Sequence, residues 1–220
     1  EYGSVALGNP FGSNFEGSFS LETRMNLLDL MISKWHEVGI PVQRVSFLDA
    51  MGWNMPHTVK ETLTEVKDKY PEVKTYHMHL HNTRGVTIAS YYEALLLGAT
   101  EFDTSLGGMG GCPYCGNGRS AGHVPTEDFV HMCHQMGIET GYDLDKVIEA
   151  AIIAEEVVGH SLWGHVSKSG PLPDNQYYPG DMPFVETLEE ASHFRKGSSV
   201  YEGQISPWRD GDALTRSSKT

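Results

Sequence analysis

Apolar residues return along this chain with two alternating periods. "YGSVALG" at 2–8 sets small and aliphatic residues in a short run bounded by glycine, as a buried strand does, and a Gly-, Asn- and Phe-rich loop follows. Behind Ser20, a side chain suited to capping, Leu21, Met25, Leu28, Leu30, Met31 and Trp35 recur at helical spacing. The unit then repeats. Residues 42–52 read as a second strand and 55–71 as an amphipathic helix stopped by Pro71; 74–85 read as a third strand and 86–99 as its helix, closed by Gly98. A fourth strand over 101–111 runs into a glycine-rich loop, and 125–137 and 143–160 read as further helices with acidic residues early, where the helix dipole favours them. After about 161 the composition turns to Gly, Pro, Tyr and Ser, with one helical stretch at 183–197. Strands alternating with helices predict a parallel α/β sheet whose functional loops follow the carboxyl ends of the strands. The expected division is a folded body over 1–160 and a tail over 161–220 that packs on it or on a neighbouring subunit.

The polar positions inside this pattern carry the chemistry. In "HMHLHNTRG" (77–85), His77, His79 and His81 share one strand face and Met78 and Leu80 the other, with successive same-face residues about 6.5 Å apart. Neighbouring imidazoles at that spacing can converge on one metal ion, or stand as polar residues on a solvated face. His77, deeper on the strand, reads as a hydrogen-bonded interior residue. Asp49 ends the second strand, either in the site or capping the segment that follows. Glu127 and Asp128 read as charges for the first turn of their helix, and His131 and His134 as surface or packing residues.

The run "SLGGMGGCPYCGNGRSAGHVPTED" holds the next candidate group. Its glycines, Gly110 and Gly111 among them, allow close backbone approach in a loop that folds over a ligand, and Cys112 is placed to act as acid, base or nucleophile. A redox pair with Cys115 is disfavoured, because glycines rather than a helix flank the motif. A structural zinc site is also disfavoured, since Cys133 alone remains to complete it.

Charge and cysteine content narrow the setting. With 16 basic and 29 acidic residues, the net charge of −13 disfavours nucleic-acid partners. No apolar run reaches the roughly 18 residues of a membrane span. An odd set of 3 cysteines does not make a disulfide framework, so a soluble cytoplasmic protein is expected.

"EFDTSL" followed by "GGMGGCPYC" resembles the signature loop of the 3-hydroxy-3-methylglutaryl-CoA lyases, within the wider DRE-TIM metallolyase superfamily. "VALGNPFG", "SFLDAMG" and "HLHNTRG" resemble further blocks of that family in the same order, so the likeness covers about residues 2–160. The resemblance implies a (β/α)8 TIM barrel of which this chain covers roughly the last four βα units, with the Asp-Arg-Glu motif among about 100 or more residues before Glu1. It also implies a divalent cation, Mg2+ or Mn2+ first, with Co2+ or Zn2+ as alternatives. His79 and His81 are its implied ligands, completed from the loop by His123 or Asn117, while Asn82 stands where the family has Asp. The implied reaction is retro-aldol cleavage of a 3-hydroxyacyl-CoA to acetyl-CoA and a keto acid. His79 would move a proton at the metal, Cys112 would protonate the enolate and Asp49 would join the catalytic groups. Gly110, Gly111, Asn82 and Arg84 would line the substrate loops. The expected partners are a small acyl-CoA or hydroxy-acid substrate and further copies of the chain, with neither nucleic acid nor membrane. Two other readings stay open: a synthase condensing an acyl-CoA with a 2-oxo acid, and a non-catalytic half-barrel subunit.

Overall fold

A computed structural model describes residues 1–112 and 120–172 and divides the chain into two units, 1–124 and 125–220. The first unit is built on a parallel sheet in the order β1 (Gly3–Gly8), β4 (Val42–Asp49), β5 (Thr75–Leu80) and β6 (Glu101–Phe102). Helices α1 (Leu21–Glu37), α2 (Pro56–Lys69) and α3 (Thr87–Leu96) make the crossovers. Each strand follows its predecessor in space, as consecutive units do in a barrel wall.

The register explains why one sheet face is apolar and the other chemical. Val45 pairs with Val5 and Tyr76, and Phe47 with Leu7 and Met78, so these residues stack on one face. There they are buried with Leu28 and Ile32 of α1, Val59, Leu63 and Val66 of α2, and Tyr91 and Ala94 of α3. Ser46 pairs with Ala6 and His77, and Leu48 with Gly8 and His79, which places the strand histidines on the opposite face. The helices start where their sequences indicate: Ser20 accepts from the amide of Thr23, and Pro56 occupies the first turn of α2.

Two departures from the sequence reading concern loops. A small hairpin, β2 (Gly12–Ser13) with β3 (Gly17–Ser18), interrupts the loop after β1. Its Gly12 has φ 152° and leaves no room for a Cβ, which would lie 2.6 Å from the carbonyl of Gly17. The fourth strand is much shorter than 101–111. Pairing ends at Phe102, and a 3-10 turn at Leu106–Gly108 follows, with φ of 59° at Gly107 and 72° at Gly108.

The buried Tyr91 hydroxyl takes over where β6 stops. It accepts from the amide of Leu80 at 3.2 Å and donates to the carbonyl of Asp103 at 2.7 Å, tying the end of β5 to the segment that carries Asp103. Tyr91→Phe leaves the buried amide of Leu80 short of a partner, so a loss of about 1–3 kcal/mol in stability is expected. Urea unfolding with an unchanged m-value checks this.

In the second unit, α4 (Thr126–Gln135), α5 (Leu144–Val158) and the short α6 (Val166–Ser169) pack together. Asp128, expected to serve its own helix, instead accepts from the amides of His165 and Val166 at the start of α6. The short helix α6 packs with α4 and α5, while the helical stretch expected at 183–197 lies outside the described residues.

Candidate metal centre

His79 comes from the end of β5, His81 from just beyond it, and His123 from the returning leg of the glycine-rich loop. One ring nitrogen of each lies within 4.8 Å of the others. His123 sits between the two, its ring centroid 4.4 Å from each, while those of His79 and His81 are 5.5 Å apart. This is the group of metal-ligating side chains found among the described residues.

The three rings share one hydrogen-bonding arrangement. Nδ1 of His79 lies 2.6 Å from Oδ2 of Asp103, Nδ1 of His81 lies 2.6 Å from the carbonyl of Ala121, and Nδ1 of His123 lies 3.1 Å from the carbonyl of Leu80. A carbonyl or an ionised carboxylate cannot donate, so each Nδ1 carries a proton, and in the neutral ring Nε2 keeps its lone pair. Neutral imidazoles fixed in this tautomer are what a divalent ion requires of histidine ligands. The residues therefore fit a metal, with nitrogen donors throughout.

Electrostatics favour the neutral form of His123 and His81. Burial, and then the proximity of His81 and His79, pushes the His123 pKa down to about 4. Burial lowers that of His81 against the opposing hydrogen bond to Ala121. For Asp103, burial acts upward but the hydrogen bonds from His79 and His77 prevail, and its pKa falls below the ordinary carboxylate value. The unfolded chain protonates His123 near 6.5 and the folded chain near 4, so within that window the unfolded state binds the extra proton. Metal-free protein should therefore lose stability as the pH falls from about 6.5 to about 4. Urea midpoints across that range check this, and His123→Asn should flatten the slope. His81 titrates in the same direction, so the slope should not vanish.

The loop carrying Cys112 is held at its base. A Cβ on Gly122 would lie 2.1 Å from the carbonyl of Met109, and one on Gly111 would lie 2.8 Å from that of Ser120. Gly110, at φ 107°, takes a conformation that favours glycine. Ser120 Oγ donates to the carbonyl of Ala50 at 2.8 Å and lies 3.1 Å from Nδ1 of His81, while the amide of Asn82 donates to the carbonyl of Gly122 at 2.8 Å. Cys112 is a free, partly exposed thiol on the outgoing leg. Asn117 and Cys115 lie outside the described residues.

Three expected site residues make contacts of their own. Asp49 is fully buried on the face it shares with Phe47 and Leu80, opposite the histidines. Its carboxylate accepts from the amides of Trp53 and Asn54 and from the Asn54 side chain, and burial raises its pKa against those bonds. Asn54 also donates to the carbonyl of His81 at 3.2 Å, so Asp49 braces the site from behind rather than entering it. Asn82 accepts from the amide of Thr87 at the start of α3. Arg84 donates to the carbonyls of Met51 and Gly52 and lies over the Trp53 ring, which joins two loops. His79, expected both to ligate and to move a proton, has Nδ1 on Asp103, so an ion at Nε2 leaves it no free lone pair. Sequence reading missed Asp103 as a partner of His79 and Ser120 as a partner of His81. Asp103 could have been found from its place one residue past the β6 position that pairs with Met78.

Parallel strands with convergent side chains beyond their carboxyl ends define a segment of a (β/α)8 barrel. The chain belongs to the HMGL-like family, whose model matches residues 5–153. It is 34% identical over 168 residues to the (R)-citramalyl-CoA lyase of Chloroflexus aurantiacus, which covers 76% of this chain and 50% of that protein. It is 35% identical over 156 residues to a hydroxymethylglutaryl-CoA lyase of Bacillus subtilis, covering 71% and 49%. An HMG-CoA lyase from Acinetobacter baumannii, solved with coenzyme A and 3-methylmalate, superposes with a TM-score of 0.66 at 32% identity, over 80% of this chain and 55% of that one. The chain spans about half the length of the curated relatives it matches. Among the described residues, no helix is long and apolar enough to cross a membrane.

Proposed function

We propose that this chain carries the metal- and thiol-bearing part of a carbon–carbon lyase that cleaves a 3-hydroxyacyl-CoA. The observation that carries the reading is the convergence of His79, His81 and His123, each with Nδ1 on an acceptor, at the carboxyl end of a parallel sheet in a chain related to citramalyl-CoA and hydroxymethylglutaryl-CoA lyases. A bound divalent ion would polarise the substrate hydroxyl and a neighbouring carbonyl oxygen and so lower the hydroxyl pKa. Three imidazole donors favour Mn2+, Co2+ or Zn2+ over Mg2+, which prefers oxygen.

The protein groups then divide the remaining work. Asp103, Ala121 and Leu80 hold the ligand rings, and Asp49 with Asn54 supports the backbone of His81. As the hydroxyl proton leaves to a base, the carbon–carbon bond breaks and its electron pair passes into the thioester enolate. The Cys112 thiol on the closing loop supplies the proton that this carbon takes up. Gly110 and Gly111 let the loop backbone lie close to the substrate.

Incubating the purified protein and Mn2+ or Co2+ with (R)-citramalyl-CoA and with 3-hydroxy-3-methylglutaryl-CoA tests the reading. Release of acetyl-CoA and a keto acid from either is the expected result. Consumption of acetyl-CoA and a 2-oxo acid with no cleavage of either thioester would replace the lyase by a condensing synthase.

A further inference from the structure

A line of polar contacts runs from the metal centre down the polar face of the sheet through His77, a fourth histidine that lies outside the cluster. Oδ2 of Asp103 receives His79 Nδ1 at 2.6 Å and also lies 3.1 Å from Nε2 of His77. Nδ1 of His77 is 3.1 Å from Oγ of Ser46, which is buried and accepts from Nη1 of Arg44 at 2.7 Å. Arg44 is in turn fixed by Glu101, with Nε and Nη2 each 2.8 Å from Oε2. The residues lie on neighbouring strands at matching heights: Ser46 pairs with His77, and His77 pairs with Glu101.

With a neutral His77 ring, the directions in this line follow from its ends. A guanidinium can only donate and a carboxylate can only accept. Arg44 therefore donates to Ser46, whose hydroxyl hydrogen goes to Nδ1 of His77. That ring then carries its proton on Nε2 and donates it to Asp103. Asp103 is left as an acceptor for Nδ1–H of His79, whose Nε2 keeps its lone pair.

Asp103 needs such support because its side chain is 47% exposed, whereas that of His77 is 14% exposed. A half-exposed carboxylate on the residue just past a two-residue strand has freedom to turn towards water. His77 restrains it from the buried side. We propose that His77 is a positioning residue of the metal centre, holding the Asp103 carboxylate on Nδ1 of His79 so that Nε2 of His79 is presented to the ion. The proposal rests on the metal-centre reading above, and it gives a part to a histidine that sequence reading assigns only to the interior.

The test uses two measurements on wild type, His77→Leu and His77→Gln. The tautomer of His79 is read in metal-free protein by 15N NMR of the imidazoles, and affinity is read by Co2+ titration followed through the visible absorption of the bound ion. Wild type should show His79 protonated at Nδ1. His77→Leu should convert His79 to a tautomer mixture and weaken Co2+ binding by about 10- to 100-fold, the range for losing a hydrogen-bond partner of a ligand. His77→Gln, which keeps a donor in reach of Asp103, should recover most of the affinity and the wild-type absorption. A His77→Leu protein with wild-type tautomer and affinity overturns this proposal and leaves the metal centre standing. Absence of Co2+ binding in wild type overturns the centre itself, and the proposal with it.

Discussion

Replacing His79 and His81 together by alanine should reduce bound divalent metal from stoichiometric to background. Two of three clustered nitrogen donors are then gone, and His123 alone offers a single ligand, too few for an ion that normally holds about four or more. The fold should survive, because the strand histidines lie on the polar face while Tyr76, Met78 and Leu80 keep their places in the apolar layer. Elemental analysis of protein purified in the presence of Mn2+ or Co2+, with circular dichroism as the control, gives the answer. Stoichiometric metal in the double variant would dismiss the site.

Cys112→Ser should lower turnover by about 10²–10⁴-fold, the usual contribution of a positioned acid or base, with KM and metal content little changed. A hydroxyl fits the same space and keeps the backbone of the loop base, but it is a far weaker acid than a thiol. Cys115→Ala should be mild, as the proton transfer is assigned to one thiol. Large and equal losses from both changes would point instead to paired-thiol chemistry. Steady-state kinetics with citramalyl-CoA and hydroxymethylglutaryl-CoA as test compounds, with metal analysis of each variant, separates the outcomes.

What the sequence made legible was whatever depends on near neighbours. The β/α alternation follows from apolar spacing and caps such as Ser20, and the common face of His77, His79 and His81 follows from strand periodicity. The same periodicity places Asp49 two residues beyond Phe47, on the apolar side, so its burial could have been read by counting along β4. Asn82 is spent locally, on an amide five residues on, which the likeness to a metal-site motif obscured. The support around the rings was not legible. Asp103 reaches His79 only because β5 and β6 pair in one register and Tyr91 holds the chain after β6 ends. Ser120 reaches His81 only when the loop returns across residue 50.

The backbone contacts at the foot of the glycine-rich loop bear on how such a protein can diversify. Gly122 lies against Met109, the carbonyl of Ser120 faces Gly111, and the amide of Ser105 bonds the carbonyl of Val124, so the two legs are fastened together below residues 112 and 120. Lengthening the connection above that clasp costs only the slow, logarithmic growth of loop-closure entropy. Cys112 and His123 would keep their places while the number of residues between them changed. Segments of different length between 112 and 120 should therefore be accommodated without moving His123 away from His79 and His81, which makes this stretch a natural point of entry for redesign.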